Sequence, residues 1–333
     1  MTKCLITGGC GFLGHHMVEH LLKNTDWEIV IIDKLSYASF GLDRLRDIKV
    51  WPDNTDRVRV FATSLEEPIE PGLREEIGAV DYIIHLAAES DVDRSIRVPV
   101  PFVLNNVKAT LNMLEYAREV KPRMFVQMNT DEVYGPAPDG FAFPEQYYHR
   151  PSNPYSASKS AQGALSIAWN VTYGVPAVNV FSMNLVGERQ EKNKYVPLVM
   201  NKVLQGETLS IHADPTRTRA GSRFYIHCRN FSDALLHIIN RGYSGYDEWN
   251  IAGLEEVDNL TLARFIAGII GKPLKYELVD FHSGRKGHDM RYALDSAKLI
   301  ASGYQYPRSL WESLETTIRW TMDNPRWLSA MKE

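Results

Sequence analysis

The chain has 333 residues and a mass of 37.9 kDa, which at roughly 150 residues per domain predicts about two lobes with a full core. Its 44% hydrophobic and 23% charged residues are typical of globular proteins, which excludes a disordered or fibrous chain. With a net charge of −4, the protein has no overall positive field that would attract a polyanion, so we expect no nucleic-acid partner.

Short apolar runs alternate with amphipathic, helix-length stretches over the first 190 residues. This alternation predicts a parallel sheet covered by helices on both faces. Between the first two runs, Leu13, Met17 and Leu21 recur at helical spacing, which completes one βαβ unit. The predicted strands are Cys4–Thr7, Glu28–Asp33, Val58–Ala62, Asp81–Ala88, Met124–Met128 and Ala177–Met183.

The pattern loosens after Asn184. Helices are predicted at Val196–Leu204, Leu260–Ile270 and Leu310–Met322, and loops at Glu188–Lys194, Ala213–Ser222 and Phe281–Asp289. We therefore expect a Rossmann-type doubly wound α/β domain over residues 1–185. Residues 186–333 should form mostly a smaller α/β substrate-binding lobe, with some segments returning to the sheet and a ligand cleft between the lobes.

A glycine-rich loop, Thr7–Gly14, follows the first strand and opens the first helix. Gly8, Gly11 and Gly14 permit a tight turn and close approach to a pyrophosphate, whose charge is favoured by the helix N-terminus. Asp33 ends the second strand 19 residues after Gly14, near the offset at which a carboxylate binds the ribose 2′-hydroxyl of NAD. A glycine turn beside a surface aspartate is the alternative, and the neighbouring Lys34 leaves some room for NADP.

Tyr155 and Lys159 stand four positions apart, on one face of a predicted helix. A nearby ammonium and a cationic nicotinamide would favour the tyrosinate, which predicts a general base for an alcohol proton. The spacing is common by chance, and an amphipathic tyrosine with a solvated lysine is the alternative. The glycine loop upstream favours the catalytic interpretation.

Asp131 and Glu132 follow the fifth predicted strand, at the edge where doubly wound sheets bind ligands. Two neighbouring carboxyl groups in a partly dry site can take different protonation states, one acting as acid and the other as base. An acidic first turn stabilised by a helix N-terminus explains the pair equally well. Spacing alone leaves both interpretations open.

Cysteine usage and the first residues bear on the compartment. Cys4, Cys10 and Cys228 contain no CxxC pair, so neither a disulfide framework nor a cysteine zinc site is supported, and we expect no metal. No apolar run approaches the ~18 residues of a membrane helix, and the first residues lack the features of a signal peptide. The cytoplasm is therefore the expected compartment.

Several segments resemble those of the extended short-chain dehydrogenase/reductase family, most closely the dTDP-glucose 4,6-dehydratases. The Thr-Asp-Glu triplet is the more specific signal, because related 4-epimerases and decarboxylases keep the tyrosine and lysine but normally lack the acidic pair. The resemblance runs nearly end to end. The similar segments are Thr7–Gly14, Asp33–Tyr37, His85–Ser90, Val92–Ile96, Thr130–Gly135, Tyr155–Lys159 and Gly287–Tyr292.

The resemblance implies an NAD-dependent elimination of water from a nucleoside-diphosphate hexose, with dTDP- or UDP-glucose expected as the substrate. The C4 hydroxyl is oxidised, water leaves across C5 and C6, and hydride returns to C6, giving a 4-keto-6-deoxy sugar. Tyr155 would take the C4 hydroxyl proton, Glu132 the C5 proton, and Asp131 would protonate the departing C6 hydroxyl. Thr130 would bind the C4 oxygen, and Lys159 the nicotinamide ribose.

The resemblance also implies binding residues and a homodimer formed through two long helices. Two arginines and a lysine in one cleft would suit a diphosphate, although each alone is typical of a solvated surface. The expected cofactor contacts, besides Tyr155 and Lys159, are Gly8, Gly11, Phe12, Leu13, Gly14, Asp33, Lys34, Leu35, Ser36, Leu86, Ala87 and Ala88. The expected substrate contacts are Ser90, Asn105, Thr130, Asn184, Lys194, Arg223, Asn259, Arg285 and His288.

The chain departs from the family pattern at a few positions. Asp91 replaces a histidine, Leu185 and Val186 replace an asparagine and a tyrosine, and Glu188 replaces a proline. Thr63 and Ser64 stand where an aspartate normally meets the adenine, His212 replaces an aromatic residue near the base, and the Thr216–Gly221 segment is longer. These changes leave the chemistry intact and bear on the identity of the nucleotide and the hexose. Two alternatives to the dehydratase stay open: a nucleotide-sugar 4-epimerase or decarboxylase, and a non-catalytic NAD-binding protein.

Overall fold

The computed structural model describes residues 1–36, 39–280 and 289–329. The strands are β1 Lys3–Thr7, β2 Glu28–Asp33, β3 Val58–Ala62, β4 Tyr82–His85, β5 Met124–Thr130, β6 Ala177–Ser182, β7 Leu185–Val186, β8 Thr208–Ala213, β9 Ser222–Arg223, β10 Ile226–His227, β11 Tyr246–Ile251, β12 Val257–Asp258 and β13 Lys275–Asp280. The α-helices are α1 Phe12–Asn24, α2 Asp43–Arg46, α3 Pro71–Ile77, α4 Val92–Arg97, α5 Pro99–Val120, α6 Pro154–Tyr173, α7 Tyr195–Gln205, α8 Cys228–Arg241, α9 Asn259–Ile270, α10 Ala297–Ala301 and α11 Leu310–Asp323.

The main sheet is parallel throughout and has the strand order β11-β6-β5-β4-β1-β2-β3. The order reverses between β1 and β4, so the loops after these strands diverge and open a crevice at the carboxyl edge. Because successive side chains of a strand point to opposite faces, Ile6 packs with α1 and α8, whereas Leu5 packs with α5. The predicted doubly wound α/β fold is confirmed.

A second apolar core lies among the later elements. Val199 of α7, Ile211 of β8, Ile266 of α9 and Leu314 of α11 are fully buried together. Each such side chain stabilises the fold by about 1.5–3 kcal/mol through burial. Strand β11, although late in the chain, pairs with β6 in the main sheet.

Predicted and observed elements agree at β2, β3 and the three later helices, α7, α9 and α11. The strand predicted to run from 81 to 88 is wrong at its end, because β4 stops at His85. After it, the N–H of Ala87 donates to the Thr7 hydroxyl at 3.1 Å, so this segment turns across β1 instead of continuing the ladder. The fifth strand is longer than predicted and ends at Thr130.

Within the described ranges, no helix is both long and apolar enough to cross a membrane. The same residues contain no group of three or more His, Cys, Asp or Glu side chains placed to hold a metal ion. The predicted loop at 281–289 lies, except for Asp289, outside the described residues.

Candidate active site

The glycine loop joins β1 to α1 at the carboxyl edge of the sheet. Gly8 has φ +71°, and a Cβ there would lie 2.9 Å from the backbone nitrogen of Ala87. A Cβ on Gly14 would lie 2.1 Å from the Gly8 carbonyl oxygen. Gly11 caps α1 without a side chain, which leaves the first N–H groups of the helix to an incoming ligand. The loop therefore fits a pyrophosphate.

Asp33 is buried at the end of β2. Its carboxylate accepts hydrogen bonds from the N–H groups of Cys10, at 3.0 Å, and Leu35, at 2.8 Å. Burial raises the pKa of Asp33, and these hydrogen bonds, with the nearby Arg44 and Lys34, act against the rise. Lys34 is held by the Asn105 side chain at 2.8 Å and by Glu89 at 3.1 Å. Its ammonium is therefore committed within the protein instead of pointing at a 2′-phosphate.

One cleft of about 540 Å³ brings together most of the predicted site residues. Leu35 is placed elsewhere, since its side chain packs against the core beneath the sheet. Arg285 and His288 lie outside the described residues. Those that line the cleft are Gly8, Gly11, Phe12, Leu13, Gly14, Asp33, Lys34, Ser36, Leu86, Ala87, Ala88, Ser90, Asn105, Thr130, Asp131, Glu132, Tyr155, Lys159, Asn184, Lys194, Arg223 and Asn259.

The acidic pair stands in a short 3-10 helix, Asp131–Tyr134, directly after β5. The Thr130 hydroxyl donates to Asp131 Oδ1 at 2.8 Å and accepts from the N–H of Glu132 at 3.4 Å. Burial, together with the negative charge of Glu132, raises the pKa of Asp131 to about 7. A carboxyl group that keeps its proton near neutral pH can serve as a general acid. The pair therefore forms an acidic first turn in which Asp131 keeps its proton near neutral pH.

Tyr155 and Lys159 lie on the first turns of α6. Burial, then the charge of Glu132, raises the pKa of Tyr155, while a hydrogen bond from Thr130 acts in the opposite direction. Burial lowers the pKa of Lys159 to about 7, so near neutral pH this side chain carries only part of its positive charge. We expected Lys159 to lower the pKa of Tyr155, but the protein groups alone do not produce that lowering.

Two predicted substrate contacts are held by the protein itself. The Arg223 guanidinium donates to the carbonyls of Ser222, Asp289 and Met290, each at 2.7 Å, and its carbon lies 4.6 Å from the ring centre of Tyr292. The Asn259 side-chain oxygen accepts from the Tyr225 hydroxyl at 2.6 Å. Both residues line the cleft while tying separate segments together.

The segment predicted as a charged loop at 188–194 contains a buried ion cluster that sequence reasoning missed. Glu188 is 1% exposed and contacts Arg229 at 3.0 Å and His227 at 3.4 Å. Burial acts to raise the pKa of Glu188, but His227 and the neighbouring cations hold it well below its usual range. The available signal was His16, a polar residue inside the apolar stripe of α1, which hydrogen-bonds the Glu188 carbonyl at 3.1 Å.

Two further residues, Tyr292 and Asp91, line the cleft. Tyr292 lines it beside Glu132, whose charge acts on the Tyr292 phenol, and it lay within a segment similar to the dehydratases. Asp91, the residue that replaces a histidine, accepts the Arg94 N–H at 2.9 Å and so caps α4. Capping by aspartate stabilises a helix by about 1 kcal/mol, which gives this departure a structural reason.

Comparison with known proteins places the chain in a family. The NAD dependent epimerase/dehydratase family matches residues 4–252. A dTDP-glucose 4,6-dehydratase of Salmonella typhimurium is 33% identical over 354 residues, covering 99% of this chain and 95% of the relative. That of Haemophilus influenzae is 33% identical, with 97% and 99% covered.

Solved structures agree with this placement. A Streptomyces venezuelae dTDP-glucose 4,6-dehydratase with NAD bound superimposes with a TM-score of 0.87 at 30% identity, covering 99% of this chain and all of that one. The resemblance predicted from the sequence motifs is confirmed. The chain belongs to the NAD dependent epimerase/dehydratase family.

Proposed function

We propose that the protein is an NAD-dependent 4,6-dehydratase of a nucleoside-diphosphate glucose, with dTDP-glucose as the first candidate substrate and UDP-glucose as the second. The observation that carries this proposal is the acidic pair beside Tyr155. Asp131 is protonated up to about pH 7 and lies one residue from Glu132, so an acid and a base share the end of β5. The names of the full-length relatives support the same reaction and the dTDP nucleotide.

The cofactor side of the cleft fits NAD. The glycine loop and the start of α1 would hold the pyrophosphate, and Asp33 would accept a hydrogen bond from the adenosine ribose. Lys159, which lines the same cleft, would hold the nicotinamide ribose. NAD, when bound, supplies the acceptor that takes hydride from C4 of the sugar and returns it to C6.

The remaining chemistry belongs to this chain's own residues. Tyr155 accepts the proton of the C4 hydroxyl. The single hydroxyl hydrogen of Thr130, which is donated to Asp131 in the protein alone, would turn to the C4 oxygen of the bound sugar. The ketone at C4 acidifies the C5 proton, which Glu132 removes. Asp131 donates its proton to the C6 hydroxyl, so the C6–O bond breaks and water leaves. As hydride returns to C6, Glu132 gives a proton back to C5, which completes the 4-keto-6-deoxy sugar. Each proton thus moves at a named group at the end of β5 or on α6.

Incubation with dTDP-, UDP-, CDP- and GDP-glucose tests the proposal, with products weighed by mass spectrometry. We expect loss of one water, and deuterium at C5 when the reaction runs in deuterated water, because the carboxyl group of Glu132 exchanges with solvent. The Asp131→Asn, Glu132→Gln double variant is the matched control. An unchanged mass with altered chromatography would indicate the 4-epimerase instead, and loss of carbon dioxide from a uronic acid a decarboxylase.

A non-catalytic NAD-binding role is the remaining alternative. It requires neither Tyr155 nor the acidic pair, yet all of these groups converge in one cleft with Lys159. A protein that binds NAD but changes no sugar nucleotide of the panel would favour this alternative.

The homodimer is part of the proposal. Val100 and Leu104 of α5, and Ile167 and Val171 of α6, are exposed, with Val171 at 77%. The two helices pack against each other, and each exposes one apolar pair four residues apart: Val100 and Leu104 near the start of α5, and Ile167 and Val171 near the end of α6. A second copy packed on the two helices would bury these side chains, and light scattering should give twice the chain mass, falling to the mass of one chain for Val171→Asp. The three free, buried cysteines support a reducing compartment, and we keep the cytoplasm as our proposal.

A further inference from the structure

Asn153 immediately precedes α6 and caps it. Its side-chain oxygen accepts the N–H of Ser156 at 2.8 Å, and the Ser156 hydroxyl oxygen accepts the backbone N–H of Asn153 at 3.2 Å. Asn153 is 7% exposed, so its amide is buried. This capping box fixes where α6 begins and therefore where Tyr155, two residues later, stands.

The other end of the same amide contacts the acidic pair. The Asn153 side-chain nitrogen donates to Glu132 Oε2 at 3.1 Å. Because the amide oxygen is already bound to an N–H donor, the nitrogen must face Glu132, and the amide has only this orientation. One side chain thus joins the carboxylate after β5 to the helix that carries the tyrosine.

We propose that Asn153 is a positioning residue for Glu132, holding this carboxylate ionised and at a fixed distance from Tyr155 for the removal of the C5 proton. The inference rests on the proposed dehydratase. A serine or threonine would cap the helix equally well but carries no second polar atom that could donate to Glu132. The asparagine therefore does more than start a helix.

The charge of Glu132 acts on several neighbouring groups. Within the described residues these are Asp131 on its own turn, Tyr155 on α6 and Tyr292 on the C-terminal segment. The charge of Arg223 acts on Asp131 and Tyr292. A hydrogen bond donated to the charged form of a carboxyl group favours that form. Asn153 supplies such a bond without adding a second positive charge.

The test separates the cap from the donor. Asn153→Ser keeps a capping oxygen, but its hydroxyl is attached directly to Cβ and lies one bond short of the amide nitrogen that contacts Glu132, so this contact is lost. Asn153→Ala loses both the cap and the contact. Ser309→Ala, which removes the capping box of α11 outside the cleft, is the matched control for stability. We expect Asn153→Ser to lower kcat about tenfold at pH 7 with KM within twofold, and to move the acid limb of the pH profile up by about one unit. Asn153→Ala should add a loss of Tm similar to that of Ser309→Ala.

A double-mutant cycle shows whether Asn153 acts through Glu132. In a Glu132→Gln background, Asn153→Ser should cost no further activity, because the group that it positions is already neutral. A full, additive loss in this background would overturn the inference. So would an Asn153→Ser enzyme with the wild-type rate and pH profile, or one whose activity falls only in step with its Tm.

A titration keeps this result separate from the fate of the dehydratase. The infrared carboxyl band that disappears in Glu132→Gln reports on Glu132 with no substrate present. Its midpoint should move up by about one pH unit in Asn153→Ser, and an unmoved midpoint would overturn the inference. A wild-type protein that removes water from no sugar nucleotide would contradict the proposed function instead, and the titration would still decide the role of Asn153.

Discussion

The two ends of the cleft differ in what their polar side chains contact. At the catalytic end, defined by Thr130, Asp131, Glu132, Tyr155 and Lys159, the reacting groups act mainly on one another. The Thr130 hydroxyl donates to Asp131, and the charge of Glu132 acts on both Asp131 and Tyr155. At the nucleotide end, defined by Lys194, Arg223 and Asn259, the last two are held by main-chain carbonyls and by a tyrosine of other segments.

This difference has a physical origin. The catalytic groups lie at the end of β5, in the short 3-10 helix that follows it and at the start of α6, so two short local motifs are enough to place them. The nucleotide end is assembled from segments far apart in the chain, and its polar side chains must also hold those segments together. A change at the catalytic end should therefore affect chemistry, and a change at the nucleotide end should affect both binding and structure.

Tyr155→Phe should have the largest effect. Without the phenol oxygen, nothing accepts the C4 hydroxyl proton, so every later step is blocked. We expect turnover to fall about 10³-fold or more. NAD affinity measured by calorimetry should change little, since the ring remains. Turnover near the wild-type value would show that Tyr155 is not the base. It would also contradict the interpretation that the groups of the catalytic end act mainly on one another.

Asp131→Asn should come next. An amide of the same shape cannot protonate the leaving hydroxyl, so water loss should slow about 10²–10³-fold. Oxidation at C4 precedes this step, and recovered substrate should therefore still gain deuterium at C5 through Glu132. The wild-type rate should fall above pH 7, as Asp131, whose pKa is about 7, loses its proton. An unchanged alkaline limb in the variant would contradict this assignment.

The same substitution should stabilise the fold at alkaline pH. A carboxyl group whose pKa is about 7 in the folded protein, against an ordinary 3.8, binds more protons when folded between these values. Its contribution to stability is full below about pH 4 and is lost as the pH rises through 7. Asn, which never ionises, should raise the free energy of unfolding at pH 8 by roughly 2–4 kcal/mol and leave it unchanged at pH 4. Denaturant titrations at the two pH values check this.

The catalytic end was predictable from sequence because its signals are local. The first six strands, the glycine loop, the acidic pair and the Tyr155–Lys159 spacing each depend on residues close together in the chain. Strand ends were less predictable: an apolar run continues past His85, but the hydrogen bond from Ala87 to Thr7 ends the ladder there. That bond joins residues 80 positions apart.

The other end could not be predicted in the same way. A charged run such as Glu188–Lys194 is typical of an exposed loop, yet Glu188 is buried against His227 and Arg229. These partners come from strand β10 and helix α8, so no local pattern announces the cluster. Sequence alone likewise marks Arg223 as a surface cation, whereas folding gives it three carbonyl partners.

Arg223→Ala tests the double role of the nucleotide end. Loss of a charged hydrogen-bonding group should raise KM for the sugar nucleotide about 10- to 100-fold. Because the Arg223 charge favours ionised Asp131, its removal should also raise the pKa of Asp131 and move the alkaline limb to higher pH. Arg223→Lys keeps the positive charge but loses the planar guanidinium group. It should therefore restore the alkaline limb of the pH profile but not the Tm of the wild-type protein. A pure KM effect would mean that Arg223 only binds substrate.

Asp33→Ala should have the smallest effect. It tests whether the cofactor end of the cleft, which is formed by the glycine loop and Asp33, resembles the catalytic end. The wild-type protein should bind NAD more tightly than NADP, because a carboxylate accepts a hydrogen bond from a 2′-hydroxyl and repels a 2′-phosphate. Removing it should weaken NAD binding about tenfold, the value of a hydrogen bond to a charged group. The same substitution removes the repulsion between the carboxylate and a 2′-phosphate, so NADP binding should weaken less or improve.

Calorimetry with both cofactors measures this narrowing of preference. Asp33→Asn is the matched control, because it keeps the size of the side chain and one oxygen for the N–H groups of Cys10 and Leu35. If the preference for NAD over NADP narrows equally in both variants, the charge of Asp33 determines cofactor selectivity. The cofactor end would then depend on a local sequence signal, as the catalytic end does. If only Asp33→Ala narrows it, the carboxylate acts by shaping the glycine loop. Tighter binding of NADP by the wild-type protein would contradict both explanations, since Lys34 is already held by Asn105 and Glu89.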